Sequence, residues 1–402
     1  SNSTIGGRGS DFEINPVGSG GIYIASSTLN IDGGKQLKVY GTNELKIDAA
    51  ITQSNGTATL AIYGAADVIL NGACTYTGLT TISAGTLQLN KTGGGTLNST
   101  NDVTVSGGTL KVSTNQTLDD LTMTSGSLTV DDGVTLTING DFTIKGEVSL
   151  GSGIILIGSS GTIIGASSSN FIRTTGNGSL RKEFSSPGSF VFPIGTTGEY
   201  TPVTLDFTSL GSSSYAGVRS VASAHGSFIG GTPSHYLERN WVLTEGGFSS
   251  FACDISCVYV DADIVGTESS IYCGKWSGSS WLLGNATNTT DNELSFDGAT
   301  SFSDIAGAPP ASLPVALLDF SANLLDNNQT EITWSTASEL NASHFNIHRS
   351  LDGIEKTRIG EVAASGTSNE IEKYSFMDYE PITQRTLYFL EQVDFDGQVE
   401  WF

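Results

Sequence analysis

Gly85-Thr86-Leu87-Gln88-Leu89, Gly108-Thr109-Leu110-Lys111-Val112, Gly126-Ser127-Leu128-Thr129-Val130 and Val134-Thr135-Leu136-Thr137-Ile138 are four versions of one phrase. Each opens on Gly or a β-branched residue and then alternates polar with apolar positions, which on a pleated strand turns Leu, Val and Ile inward and Thr, Gln or Lys outward. The first three copies recur at intervals of about one solenoid coil, roughly 20 residues, and the fourth follows closely on the third. A unit of that size cannot bury its own apolar face, so it must lean on neighbouring copies. The pattern predicts stacked rungs around a shared apolar column, a β-solenoid, with a right-handed parallel β-helix as the preferred geometry.

Outward from these phrases the same texture runs from about Gly20 to Ala166. Gly21-Ile22-Tyr23-Ile24, Leu37-Lys38-Val39-Tyr40, Leu45-Lys46-Ile47, Leu60-Ala61-Ile62-Tyr63 and Val68-Ile69-Leu70 are short β-rich runs broken by Gly, Asn and Asp, and no helical period competes with them. Proline is absent between Pro16 and Pro187, as a ladder that needs every N–H requires. Within this region, Asn71-Gly72-Ala73-Cys74-Thr75-Tyr76-Thr77-Gly78-Leu79-Thr80-Thr81-Ile82-Ser83-Ala84-Gly85-Thr86-Leu87 resembles the autotransporter-associated β-strand repeat. That resemblance implies a β-helical passenger and says little about activity.

Near Asn170 the texture changes. Phe190-Val191-Phe192-Pro193, Tyr200-Thr201-Pro202-Val203, Arg239-Asn240-Trp241, Val258-Tyr259-Val260-Asp261 and Lys275-Trp276-Ser277-Gly278-Ser279-Ser280-Trp281 set aromatics into short runs of alternating polarity, the texture of a two-sheet antiparallel domain. This succession resembles a module of large secreted proteins of the Bacteroidota. Ala308-Pro309-Pro310-Ala311-Ser312 reads as a stiff linker, since consecutive prolines favour an extended chain. Beyond it, Ile332-Thr333-Trp334-Ser335-Thr336, His344-Phe345-Asn346-Ile347-His348-Arg349-Ser350 and Tyr388-Phe389-Leu390-Glu391-Gln392-Val393-Asp394 resemble the fibronectin type III/immunoglobulin-like module of type IX secretion cargo. In that family a C-terminal sorting domain usually follows; none stands in these residues. The expected fold class is therefore all-β: an N-terminal parallel β-helix over 1–168, a β-sandwich over 169–307, a linker at 308–312 and an immunoglobulin-like β-sandwich over 313–402.

Composition narrows the function. The formal charge is −23, from 41 acidic and 18 basic side chains without any Lys/Arg cluster, so nucleic acid and anionic lipid are unsuitable partners. No apolar run approaches the roughly 20 residues that span a bilayer, and Ser1 opens without a charged or apolar leader. Charged residues are only 15%, with 50 glycines and abundant Ser and Thr, against about 25% charged in ordinary soluble domains. The expected location is extracellular, at a cell surface.

Candidate chemistry is sparse. Histidine occurs only at 225, 235, 344 and 348, and no arginine lies between Arg8 and Arg173, so the solenoid lacks the commonest groups for metal or acid–base work. Polysaccharide lyases and hydrolases built on β-helices need convergent carboxylates; the pairs Asp119-Asp120 and Asp131-Asp132 are adjacent turn residues, where Asp caps backbone groups. No cofactor is expected; calcium is the one ion that Asp261, Asp263 and Glu268 could take as oxygen donors, and a solvated turn is the favoured reading of them. Cys253, Cys257 and Cys273 are open either to a Cys257–Cys273 disulfide or to three buried thiols; Cys74 reads as a small core residue. The final run, Gln398-Val399-Glu400-Trp401-Phe402, begins a short strand whose sheet edge invites an extended segment from another copy.

The resulting expectation is a non-enzymatic structural or adhesive surface protein. Copies of itself in a filament or sheath, and glycans or neighbouring cell surfaces, would be its partners, with many weak contacts adding. The alternative is a carbohydrate-binding or carbohydrate-active β-helix protein.

Overall fold

The computed structural model describes all of the chain except residues 1–3, 7–10, 18–19, 26–27, 33, 91–93, 175, 229–232, 279–280, 311–316, 326–327, 337–338, 369–370, 383, 396 and 398. The fold is all-β, 59% strand, with an N-terminal parallel solenoid of about 8 turns followed by mixed and antiparallel sheets. Among the described residues the only helical elements are 3-10 turns at Asp261–Asp263 and Glu268–Ser270.

Parallel register stacks like on like. On one face Leu37, Leu60, Thr80, Val103, Leu121 and Phe142 succeed one another rung by rung, with Val39, Ile62, Ile82, Val105, Met123 and Ile144 two positions along. On the next face Leu45, Val68, Leu87, Leu110 and Leu128 form one column and Ile47, Leu70, Leu89, Val112 and Val130 another. All of these side chains are buried. The polar member, Thr80, shares a 2.7 Å hydrogen bond with the buried Tyr76 hydroxyl, which meets the requirement that an enclosed hydroxyl find a partner.

Three of the four defining phrases stack in that second face, as Thr86–Leu89 pairs with the C-terminal half of Val103–Val112 and that in turn with Leu121–Val130. The fourth does not follow. Thr135–Ile138 lies between Gln116–Leu118 and Ile154–Ile157 in a separate parallel ladder. Alternation specifies which side chains turn inward; it carries no label for the wall of the coil to which a strand belongs.

The chain divides into two compact units. One comprises Ser1–Ala222, Trp241–Ala262 and Gly298–Phe302; the other comprises Ser223–Asn240, Asp263–Asp297 and Ser303–Phe402. In the first, residue 168 falls inside the parallel ladder, because Ile154–Ile157 still pairs in parallel with Ser179–Phe184. That strand is where the pairing changes sense, since its other side meets Ser214–Val221 antiparallel. Beyond it Gly188–Phe192, Val203–Leu210 and Phe251–Val258 form antiparallel pairs, around a cluster in which Phe207 touches Phe184, Phe248, Phe251 and Phe302 at 4.5–5.8 Å between centroids.

In the second unit Tyr272–Trp276 pairs with Trp281–Ala286 and Asp304–Ala308, packing Phe228 and Trp281 together. The proposed linker lies partly outside the described residues. Its C-terminal neighbour is a sandwich of two antiparallel sheets. One sheet has Leu317–Leu324, Thr330–Thr336 and Glu372–Asp378, and the other has Thr357–Ser368, Glu339–Ser350, Leu387–Asp394 and Val399–Trp401, in those orders. Ile332, Trp334, Phe345, Ile347 and Leu390 fill the space between. The buried Glu339 carboxylate ties both sheets, accepting from Thr336 Oγ1 at 2.9 Å, Tyr374 Oη at 2.6 Å and the Ser365 amide at 2.7 Å.

Close rung contacts leave no room for a side chain at certain corners. A Cβ on Gly64 would land on the carbonyl oxygen of Tyr40, one rung below, and backbone cannot yield as a flexible side chain does. Gly64→Ala is therefore expected to destabilise the solenoid by at least as much as the about 2–5 kcal/mol of a buried Leu→Ala such as Leu110→Ala. Denaturant unfolding of both variants checks this, and a Gly64→Ala midpoint equal to the parent's would contradict it.

Candidate functional surfaces

Four acidic side chains of the solenoid hold the next rung. Asp11 Oδ1 accepts the Gln36 amide at 3.0 Å, Asp102 Oδ1 the Asp120 amide at 3.3 Å and Asp120 Oδ1 the Asp141 amide at 2.7 Å. Asp141 Oδ1 in turn accepts the Thr162 hydroxyl at 2.6 Å. Amide side chains do similar work: Gln116 accepts from the Leu97 amide at 2.8 Å and donates to the Leu97 carbonyl at 3.2 Å, taking the place of a paired strand. Corners of a coil leave backbone groups without ladder partners, and these side chains supply them. The capping expected of Asp120 is thus present, directed to the following coil instead of its own turn.

A polar chain follows the strands Leu45–Ile47, Asp67–Leu70 and Thr86–Leu89, and an aromatic pair follows Gln36–Val39 and Thr59–Ile62 on another wall. The Tyr23 hydroxyl and the Asn71 amide both donate to the Asp48 carboxylate, and Asn90 Nδ2 donates to Asn71 Oδ1 at 2.7 Å. These hydrogen bonds, from Tyr23 first and then Asn71, hold the Asp48 carboxyl below its ordinary value of 3.8. Tyr40 and Tyr63 stack at 5.4 Å with 20° between planes and stay 43% exposed each, so the solenoid presents rings to solvent.

A concave feature occurs where the pairing changes sense. Lys182 occupies the inward column position after Ile157, and its ammonium donates to the carbonyls of Gly158, Ser159 and Gly161. Burial lowers its pKa. The next residue, Glu183, turns the other way and lines an open cleft of about 420 Å³ with Ser159, Ser185, Ser213, Ser214 and Tyr215. Nothing in the sequence singles out Glu183; the alternation Leu180-Arg181-Lys182-Glu183-Phe184 marks a strand but not the corner that hollows beside it.

The residues named from sequence are distributed differently. Asp263 is buried and its Oδ2 accepts from Arg239 Nε at 2.6 Å, the guanidinium being fully enclosed. Asp261 sits with it in the 3-10 turn, and Glu268 opens the second such turn. Among the described residues no group of three His, Cys, Asp or Glu side chains is arranged to hold a metal, so the candidate calcium site of Asp261, Asp263 and Glu268 is not formed. An enclosed arginine claims Asp263, as a buried guanidinium must have a counter-charge. The Cys257–Cys273 disulfide is not formed either. Cys257 stands opposite Val203 and Cys273 opposite Gly307. All four cysteines are buried, and burial raises the Cys74 and Cys253 thiols to about 12.

The histidines serve packing. His225 Nδ1 accepts from the Ser227 amide at 3.2 Å, which leaves its proton on Nε2 facing Asp304 Oδ2 at 3.1 Å. His348 Nε2 meets Glu391 Oε2 at 3.1 Å, with the Trp401 ring 4.7 Å away, and His344 is 3.9 Å from Glu361. At the sheet edge Val399–Trp401 is fully in register, with Trp401 opposite Glu391, Glu400 opposite Gln392 and Val399 opposite Val393. Phe402 exchanges hydrogen bonds with Leu390 at 2.8 and 3.2 Å. The neighbouring strand is thereby satisfied, and Val399–Trp401 itself becomes the outer strand, with Val399 55% and Trp401 42% exposed. Gln398 lies outside the described residues.

No family model and no curated protein matches the chain. Among solved structures, the crystal structure of a β-1,2-glucanase from Parabacteroides distasonis aligns at 10% identity over 55% of this chain, with a TM-score of 0.15. The alignment takes in 35% of the glucanase, about a third of its length. An overlap that loose assigns neither fold nor activity.

Two outcomes follow from this geometry. Asp263→Ala strands an enclosed guanidinium, a loss of about 3–5 kcal/mol, whereas chelation with EDTA leaves the parent's melting temperature unchanged; a drop on chelation would restore calcium to the loop. Asp48 has a depressed folded-state pKa, so its contribution is whole above 3.8 and fades as pH falls through the lower folded value. Asp48→Asn is accordingly expected to flatten the acid limb of melting temperature against pH, and a limb as steep as the parent's counts against the link.

Proposed function

We propose that this chain is a cell-surface structural or adhesive protein in which the solenoid is a scaffold and its outer faces and sheet edges make the contacts. One observation carries the reading: the carboxylates that a hydrolase would need to converge, Asp102, Asp120 and Asp141, are consumed in joining one coil to the next. A carboxylate that accepts a backbone amide is oriented by the fold toward its own chain, and that hydrogen bond favours the ionised form over a proton donor. The work of such a body is mechanical, by repeated weak contacts with glycans or other copies of the chain.

Secretion as type IX cargo belongs to the same proposal. It rests on the likeness of residues 313–402 to that cargo's immunoglobulin-like module, and the sheets of three and four strands agree with such a module. Polymerisation through strand edges is its sharper form, supported by the short outer strand Val399–Trp401 with its exposed Val399 and Trp401. Exposed strand edges are templates for pairing unless charge blocks them.

Electron microscopy of concentrated protein and of cell-surface material, beside sedimentation of parent and Val399→Lys, tests the proposal. Expected are ordered assemblies from the parent and their loss with Val399→Lys at unchanged circular dichroism. Monodisperse parent protein at every concentration, with none at the cell surface, would overturn the assembly form. Release of reducing sugar from a β-glucan by the purified chain would overturn the non-enzymatic reading.

A further inference from the structure

We propose that the cleft beside the strand Ser179–Phe184 of the first unit binds a neutral carbohydrate, with Glu183 as its principal hydrogen-bond acceptor. This gives a place to the glycan contact in the proposed function and rests on that reading. Glu183 and Tyr215 stand directly opposite each other in an antiparallel pair, as do Phe184 and Ser214. Directly opposed residues share one face of a sheet, so the carboxylate and the tyrosine flank the same hollow. Ser159 comes from a solenoid corner, and Ser185 and Ser213 from the ends of the two strands. The hollow, about 420 Å³, falls in the range of small-molecule sites, roughly 300–1,000 Å³.

The chemistry of the lining selects the ligand. Among the described residues the Glu183 side chain makes no hydrogen bond or ion pair, and the neighbouring ammonium that it feels, Lys182, is turned inward onto three carbonyls. An ionised carboxylate only accepts, and its two oxygens suit two adjacent hydroxyl donors. Serine hydroxyls both donate and accept, matching groups that do likewise. Phosphate, sulfate and uronate ligands would meet the carboxylate's repulsion inside a chain of net charge −23. Tyr215 is held by the Arg181 guanidinium 4.4 Å from its ring centroid, so the wall is set before a ligand arrives, which reduces the ordering cost of binding.

The test is titration calorimetry with saturation-transfer NMR on the full chain. Cellobiose, maltose and N,N′-diacetylchitobiose are the neutral probes, and glucuronic acid and benzylamine are the charged ones. Saturable binding of at least one disaccharide is expected, with tenfold or greater weakening in Glu183→Ala, a smaller loss in Glu183→Gln and no binding of glucuronic acid. Circular dichroism and melting temperature certify that the variants are folded. Failure of all three disaccharides, equal affinity in Glu183→Ala, or binding of benzylamine alone would overturn the proposal. Should sugar binding fail while ordered assemblies form, the cleft is refuted and the structural reading stands; sugar binding by a chain that stays monodisperse supports the cleft and refutes assembly.

Discussion

Parallel stacking in fixed register is the constraint on which the first unit depends. Each rung bonds to the rung before and the rung after, so a residue's neighbours along the stack are the residues at its own position in adjacent coils. An apolar position must therefore stay apolar through the stack, as the succession Val39, Ile62, Ile82, Val105, Met123, Ile144 does. A slip by one residue would turn the whole set outward. The column tolerates polar members where they bring a partner, as Thr80 does with Tyr76.

Corners obey a second rule. Between straight runs the backbone bends, ladder bonds lapse, and side chains from the coil below must complete them. Aspartate, asparagine and glutamine are short or forked acceptors suited to that task, which explains much of the acidic character of the solenoid without reference to a ligand. Asp11, Asp102 and Asp120 are as structural as the leucines. Glu183, placed where the coil gives way to antiparallel pairing, is a carboxylate to which the fold assigns no such partner.

The second unit is held by enclosed ion pairs and carboxylates. Arg239 with Asp263, and Glu339 with Thr336, are buried and satisfied by hydrogen bonds, Glu339 also accepting from the half-buried Tyr374 and from the Ser365 amide. Such groups cost solvation and return specificity, because any alternative packing would strand them. The same pairing removes Asp263 from metal binding. At the sheet edge, the pairing of Val399, Glu400 and Trp401 with the preceding strand moves the exposed boundary outward by one strand.

The sequence by itself determined the class of structure. Alternation of period two in Thr86-Leu87-Gln88-Leu89 and its relatives, the missing proline and the missing helical period admit only strands, and repetition admits only stacking. It also determined the strands beyond Leu317, where Trp334, Phe345 and Ile347 alternate with polar neighbours and meet Leu390 in one core. What only the tertiary structure decided is which strand lies beside which. Thr135–Ile138 joins a different wall from its look-alikes, Cys257 and Cys273 face other residues, and Asp263 meets an arginine 24 positions away. Periodicity records whether a side chain turns inward or outward; the partner it finds there is set by how the chain bends between strands, and short Gly-, Ser- and Asn-rich corners permit several bends at similar energy.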